Sequence, residues 1–277
     1  MSSAGIIRSV NWHLISACNY RCRFCFARNL GEVPASFNDG VEIIHKLVGL
    51  GMDKINFAGG EPLLHPRLLD YCTVAKDCGM TVSITTNGSC LDGNLIARMS
   101  EVVDWIALSI DSGSDEIEAR LGRGCGNHVT HCTEVARIIH EAGIRLKMNT
   151  TITALTYREN MISLVKRIKP DRWKVLQMLH ICGENDDAVA DLAITSEQFN
   201  HFVENHREVC LDNGENPVFE SSNDIENSYF MLTPSGNVKI DVGNVITKFS
   251  LDDVVSRGVE YYVNPAKYQN RGALYEW

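Results

Sequence analysis

The sequence predicts an α/β fold, a partial (β/α)6 barrel with a C-terminal extension, and three observations predict it. Short apolar strands alternate with amphipathic helical stretches, which is the rhythm of parallel βα units. Gly51, Gly79 and Gly143 stand where helices should stop and turn back into strands. After about Met178 the rhythm changes, so residues 1–180 read as the barrel core and residues 181–277 as an extension of the same domain that closes the site. With 277 residues, 44% of them hydrophobic, the chain is long enough for one large core.

Taken in order, the expected strands are Val10–Ile15, Lys54–Ala58, Thr81–Thr85, Trp105–Ile110, Ile144–Thr150 and Trp173–Met178. Between the first two, Val41, Ile44, Leu47 and Val48 recur at helical spacing. Val129, Cys132, Val135, Ala136 and Ile139 do the same before the fifth strand. Beyond the sixth strand a helix is expected near Ser196–His206, then a polar loop from Asp212 to Asn227. Its Gly214, Ser221 and Ser222 and its acidic character suit a lid that orders over a ligand. A hairpin around Ser228–Lys239 should turn at Pro234-Ser235-Gly236.

Strand alternation shows what faces inward, because successive side chains point to opposite sides. Arg145, Lys147 and Asn149 share a face opposite Ile144, Leu146 and Met148; Lys54, Asn56 and Ala58 lie opposite Ile55 and Phe57; Asn11 and His13 lie opposite Trp12 and Leu14. With the apolar faces against outer helices, the polar faces line the interior, where lysines are costly without anionic partners. The other reading is that each lysine extends past the rim or pairs with an acid such as Asp53 or Glu61.

A net charge of −9 and a pI near 5.5 exclude a general nucleic-acid or anionic-membrane binder, while leaving room for a small anion held by local cations. No apolar run approaches the roughly 20 residues of a bilayer span. Met1 to Gly5 lead directly into a strand, so neither a signal peptide nor an anchor is expected, and the protein reads as cytoplasmic. Ten cysteines in a core-rich chain do not suggest a disulfide framework. Cys18, Cys22 and Cys25 are grouped; Cys72, Cys78, Cys90, Cys125, Cys132, Cys182 and Cys210 are scattered and read as packing residues or incidental thiols.

Cys18, Cys22 and Cys25 spell C-x3-C-x2-C on the loop after the first strand, with the aromatic Phe24 before the last cysteine. Three thiolates bind three irons of a 4Fe-4S cluster and leave the fourth iron open. S-adenosylmethionine (SAM) can chelate that iron and, on reduction, yield a 5′-deoxyadenosyl radical. Zinc sites more often use four ligands in paired spacings. Gly59-Gly60-Glu61-Pro62 follows the second strand. Its glycines let backbone approach a ligand, and Glu61 can accept from the SAM amino group; alone, the tetrapeptide also reads as a tight turn. Asn87, in Thr86-Asn87-Gly88, and Ser109 end the third and fourth strands, as SAM contacts or helix caps. Arg123, in Gly122-Arg123-Gly124, presents a cation on a flexible loop, suited to the SAM carboxylate or simply to the surface.

Nearly end to end, the chain resembles viperin and the viperin-like radical SAM enzymes. The likeness is carried by Ser9-Val10-Asn11-Trp12-His13, the cysteine loop through Phe26, Lys54-Ile55-Asn56-Phe57, Lys147-Met148-Asn149, Arg172-Trp173-Lys174-Val175, Gly183-Glu184-Asn185 and Asp224 to Tyr229. The family's N-terminal membrane-binding helix has no counterpart here. The resemblance implies a lyase that converts CTP, or UTP, into the 3′-deoxy-3′,4′-didehydro nucleotide, an antiviral chain terminator, using a 4Fe-4S cluster, SAM and an electron donor. It further implies triphosphate ligands at Lys54, Lys147, Arg172 and Lys174, ribose or base contacts at Asn11 and Asn149, and Tyr229 near the sugar. The aromatic tail ending in Trp277 resembles the one recognised by the cytosolic iron–sulfur assembly machinery. One departure is Ala58, where the family often has serine. The competing readings are a radical SAM enzyme with another substrate and a non-catalytic iron–sulfur scaffold.

Overall fold

In the computed structural model of the chain, which describes residues 6–273, all six expected strands form, with ends shifted by a residue or two. They are β1 (Ser9–His13), β2 (Lys54–Ala58), β3 (Thr81–Thr86), β4 (Trp105–Ser109), β5 (Arg145–Ile152) and β6 (Arg172–Gln177). Each pairs in parallel with the next, setting Val10 beside Ile55, Ile84 beside Ile106 and Met148 beside Trp173. The helices between them form, though in the first the buried face leaves Val41 half-buried and Val48 exposed. Phe37–Gly49 starts at Ser36, whose hydroxyl accepts from Asp39 N, and buries Ile43, Ile44 and Leu47. His128–Glu141 buries Val129, Cys132, Val135, Ala136 and Ile139. Gly51, Gly79 and Gly143 each take a positive φ just past a helix end, with open space where a Cβ would be, so it is the backbone that requires glycine there.

Burial alternates along the strands. Ile55, Phe57, Leu146 and Met148 are sealed from solvent at 0% exposure, with Trp12 and Trp173 in the same layer. Trp12 donates its indole N–H to Thr233 O at 3.0 Å, and Trp173 donates to Thr150 Oγ1 at 3.0 Å, so both bury large apolar area without an orphaned polar group.

The C-terminal segment continues the same sheet. After the helix Ser196–His206, β7 (Val218–Glu220) pairs in parallel with β6. The expected Asp212–Asn227 lid loop therefore carries a strand and a helical turn, Ser222–Ile225. A strand of three residues is too short for its alternation to stand out in the sequence. Next, β8 (Met231–Leu232) pairs in parallel with β1 and turns at Pro234-Ser235-Gly236 into β9 (Val238–Val242), as expected. An unforeseen second hairpin adds β10 (Val245–Phe249), giving the order β10-β9-β8-β1-β2-β3-β4-β5-β6-β7.

The two halves of this sheet meet. Tyr229, just before β8, donates to Glu220 at the end of β7 at 2.5 Å, and Lys174 on β6 bonds both. The sheet thus curls, and inward residues from β1 through β6 line one cavity of about 450 Å³. Among the described residues no helix is long and apolar enough to cross a membrane. Trp173 locks β6 to the helix Ser196–His206 through Phe202 and His206. Trp173→Ala should therefore cost about 3–5 kcal/mol, read as a lower denaturant midpoint. An unchanged midpoint would mean this contact does not hold the strand.

Candidate active site

The cysteine loop is shaped by main-chain bonds to two glycine turns. Gly60 N donates to Ile15 O at 2.6 Å and Glu61 N to Ala17 O at 2.9 Å; Arg21 N and Arg23 N donate to Gly122 O and Leu121 O at 3.1 and 2.9 Å. A Cβ on Gly60 would stand 2.2 Å from Ala17 O, and one on Gly122 2.2 Å from Arg21 O. The glycines were expected to admit a ligand; their closest approach is to the cysteine loop's own backbone. The Gly183-Glu184-Asn185 stretch holds the far end: Asn185 donates to Phe24 O at 3.0 Å, and Glu184 accepts from Asn29 N at 2.6 Å.

Cys18, Cys22 and Cys25 all face the cavity. Burial raises each thiol pKa, Cys22 to about 12, with the Arg123 guanidinium pulling the other way. Three soft donors on one loop, unwilling to ionise alone, suit a cationic iron cluster that stabilises thiolates. Phe24 lines the cavity while packing among Leu121, Met178, Ala188 and Leu192. The scattered cysteines do not line it.

Gly59, Gly60, Asn87, Ser109 and Arg123 also line the cavity. Asn87 donates to Asn19 Oδ1 at 2.9 Å, tying the end of β3 to the cysteine loop. Neither Asn87 nor Ser109 caps a helix: the following helices are capped by Asp92 and Ser114.

One loop expectation is corrected, and one carboxylate gains partners. Glu61 is fully buried and accepts from Thr86 Oγ1 at 2.6 Å, Asn87 N at 2.8 Å and Leu63 N at 3.1 Å. It braces the turn after β2 against the end of β3. Arg123 is not on a flexible loop. Its side chain is 9% exposed and pairs with Asp111 at 2.6 Å and Glu118 at 3.6 Å. Burial, then the Asp111 charge, pushes the Glu118 carboxyl up to about 8, against the pull of Arg123.

Across the cavity stand the cations. Lys147, Arg172 and Lys174 line it together with Asn11, Asn149 and Tyr229. Lys54 lies at the outer end of β2, half-buried and outside the lining, within electrostatic reach of Lys147. Burial pushes the Lys147 pKa well down, and Lys174, Arg172 and Lys54 push it further. Burial likewise brings Lys174 down to about 8, although Glu220 at 2.6 Å raises it. Lys174 donates to the Tyr229 hydroxyl at 2.8 Å.

Sequence reasoning missed Glu220 and Arg271. Arg271 lies 3.7 Å from the Tyr229 ring centroid and 3.8 Å from Glu220. Both come from the extension, where no strand rhythm marked an inward face. Asn56, read only as an inward polar residue, donates to Asn11 Oδ1 at 2.9 Å. Trp277 lies outside the described residues.

The radical SAM superfamily pattern matches residues 12–193. A protein of Thermoplasmatales archaeon (strain ISO4-H5) named S-adenosylmethionine-dependent nucleotide dehydratase is 36% identical over 271 residues, covering 98% of this chain and 96% of its own. One of the same name from Flammeovirga pacifica is 33% identical, covering 100% and 98%. Among solved structures, Streptococcus suis SuiB bound to S-adenosylmethionine superposes with a TM-score of 0.69 at 14% identity, over 96% of this chain and 68% of its own. Native anSMEcpe with bound AdoMet gives 0.69 at 15%, over 95% and 82%. At that identity these two show the fold alone.

Gly122→Ala places a methyl group against Arg21 O at a positive φ, so it should lower iron bound per chain after reconstitution. Gly113→Ala, in open space, should not. Equal iron content in both would show that the turn does not shape the cysteine loop.

Proposed function

The chain belongs to the radical SAM superfamily and, within it, to the S-adenosylmethionine-dependent nucleotide dehydratases, and from that membership we propose that it dehydrates a pyrimidine ribonucleoside triphosphate, CTP or UTP, to the 3′-deoxy-3′,4′-didehydro nucleotide. Radical SAM enzymes use a 4Fe-4S cluster and SAM. The observation that carries the proposal is that a three-cysteine loop and a set of buried cations open into one cavity. An iron–sulfur scaffold has no use for several basic side chains gathered at one buried wall, where holding them together costs free energy.

In this reading Cys18, Cys22 and Cys25 hold the cluster, which when bound supplies the electron that cleaves SAM into methionine and a 5′-deoxyadenosyl radical. Gly59, Gly60, Asn87 and Ser109 shape the SAM side. Glu61 and Arg123 act from behind it, one fixing the turn after β2 and the other the loop against the cysteines. Lys147, Arg172, Lys174 and Arg271 receive the triphosphate, with Lys54 at its outer end; Asn11 and Asn149 meet the ribose. So anchored, the sugar presents H4′ for abstraction. The 3′-hydroxyl would then take up one proton and leave as water, and one electron would complete the C3′–C4′ double bond. Tyr229, its hydroxyl between Lys174 and Glu220, is placed to deliver that proton or electron. A one-electron donor is the partner this chemistry requires; cytoplasmic residence and recognition of Trp277 by the iron–sulfur assembly machinery belong to the same proposal.

Nucleotide deuterated at C4′ should pass its label to 5′-deoxyadenosine. A label retained in the product, or moved only from C2′ or C3′, would set the mechanism aside. Lys174→Ala should raise the nucleotide KM roughly 10- to 100-fold, as the loss of a charge-assisted hydrogen bond predicts, with iron content unchanged; an unchanged KM would place Lys174 outside the phosphate site. The pH dependence has a definite sign. An ammonium attracts phosphate only while protonated, and Lys174 titrates at about 8. Nucleotide KM should therefore rise above that pH, and a KM flat from pH 7 to 9 would contradict the assignment.

A further inference from the structure

The cavity wall on β9 carries a polar pair that neither the cysteine loop nor the cation set uses. Lys239 and Asp241 alternate with Val238, Ile240 and Val242 along the strand, and both line the cavity while being nearly sealed, at 1% and 2% exposure. Lys239 donates to Phe26 O at 3.3 Å, its ammonium 5.1 Å from the Phe26 ring and so beside the cysteine loop. Both carboxylate oxygens of Asp241 lack a hydrogen-bond partner among the described residues. Burial pushes that carboxyl up to about 6, with its own main-chain N–H, the Lys239 charge and the Asn227 N–H drawing it back. Neither main-chain group reaches full hydrogen-bond geometry with the carboxylate. A buried acceptor left open carries its full desolvation penalty, and in folded proteins such a group calls for a ligand or an ordered water.

The chemistry of the wall narrows what completes it. Phosphate is repelled by a carboxylate, so the triphosphate belongs with the cations of β5 and β6. SAM belongs with the turns after β2, β3 and β4, which lie beyond β1 from β9 in the sheet. What remains for Asp241 is the nucleoside part of the substrate.

Resting on the nucleotide reading above, we propose that Asp241 and Lys239 read the base. The carboxylate accepts from an N–H of the pyrimidine edge, either the exocyclic amine of cytosine or the ring N–H of uracil. The ammonium donates to the neighbouring ring nitrogen or carbonyl oxygen. Both pyrimidines carry such a donor next to an acceptor, and a site built to bond a substrate N–H discriminates strongly against an analogue lacking it.

The test uses reconstituted holoenzyme and kcat/KM for didehydro product. The probes are CTP, UTP, the 2′-deoxy form of the preferred one, and the triphosphate of pyrimidin-2-one riboside, which lacks both the amine and the ring N–H. The wild type should use the pyrimidin-2-one analogue about 10- to 100-fold less well than its preferred pyrimidine, the range expected of one charged hydrogen bond. Asp241→Leu should lose about that factor with the preferred pyrimidine and little more with the analogue. Asp241→Asn keeps the shape and a weaker acceptor, so its discrimination should fall between the two, and it decides the matter if the leucine variant does not fold. Unchanged discrimination in Asp241→Asn would overturn the proposal. So would a loss that tracks the 2′-deoxy probe, which would place Asp241 on the ribose, or a raised KM for SAM with the base profile intact. A wild type that dehydrates no nucleotide would remove the proposed function and this inference together. A wild type that does so, with variants of unchanged base profile, would remove this inference alone.

Discussion

Lys147, Arg172, Lys174 and Arg271 share one concave wall, and their mutual repulsion in a poorly polarisable interior is what the surrounding structure has to offset. Each ammonium or guanidinium is tethered locally. Lys147 lies 4.7 Å from the Trp105 ring, Arg172 donates to Gly272 O at 2.8 Å, Lys174 reaches Glu220 and Tyr229, and Arg271 covers the Tyr229 ring while donating to Ser228 O at 3.1 Å. Faces of aromatic rings and main-chain carbonyls supply partial negative charge without neutralising the set. Glu220 is a buried acid beside Lys174 and Arg271, while burial and the neighbouring cations disfavour the charged forms of Lys147 and Lys174.

The opposite wall follows a different logic. Around Arg123 the charges are balanced inside the protein, by Asp111 and Glu118, and Asp111 also accepts from Thr151 N at 2.7 Å. Glu61 is likewise satisfied by three donors of the chain. Satisfied buried polar groups rigidify what they connect. Here they connect the turns after β2, β3 and β4 to the backbone that carries Cys18, Cys22 and Cys25. One side of the cavity is thus built for fixed geometry and the other for charge.

The parts that could be read from the sequence share a short range. Strand alternation placed Asn11, Lys147 and Asn149 inward because a period of two needs only neighbouring residues. The cysteine spacing identified its loop for the same reason. The partners of Glu61 and Arg123 could not be read from the sequence, because Thr86 and Asn87 in one case and Asp111 and Glu118 in the other come from separate elements. The pattern around a glutamate or arginine does not say whether a distant group will satisfy it. Arg271, Glu220 and Asp241 were missed for a related reason. Glu220 ends a strand of three residues and Arg271 follows a helix, so neither shows a period of two. Asp241 does alternate along β9, but only the pairing of that strand with β8 shows which of its faces turns inward.

The extension's continuation of the sheet also brings closure and charge together. β7 and β8 are not hydrogen-bonded neighbours, and side chains link the end of β7 to the segment just before β8. Tyr229 bonds Glu220, Arg271 covers the Tyr229 ring, and Lys174 on β6 bonds both Tyr229 and Glu220. The Lys174–Glu220 ion pair lies between β6 and β7, two strands already hydrogen-bonded to each other, and its lysine is the one the proposed function assigns to the phosphates. Under the proposed function, an anion entering the cavity would compete with Glu220 for Lys174, with little solvent to weaken the competition. Lys174 would then give up its bond to the Tyr229 hydroxyl, while Tyr229 would keep the one to Glu220. β8 already pairs with β1 and β9, so main chain cannot supply a link to β7 there and side chains make it instead.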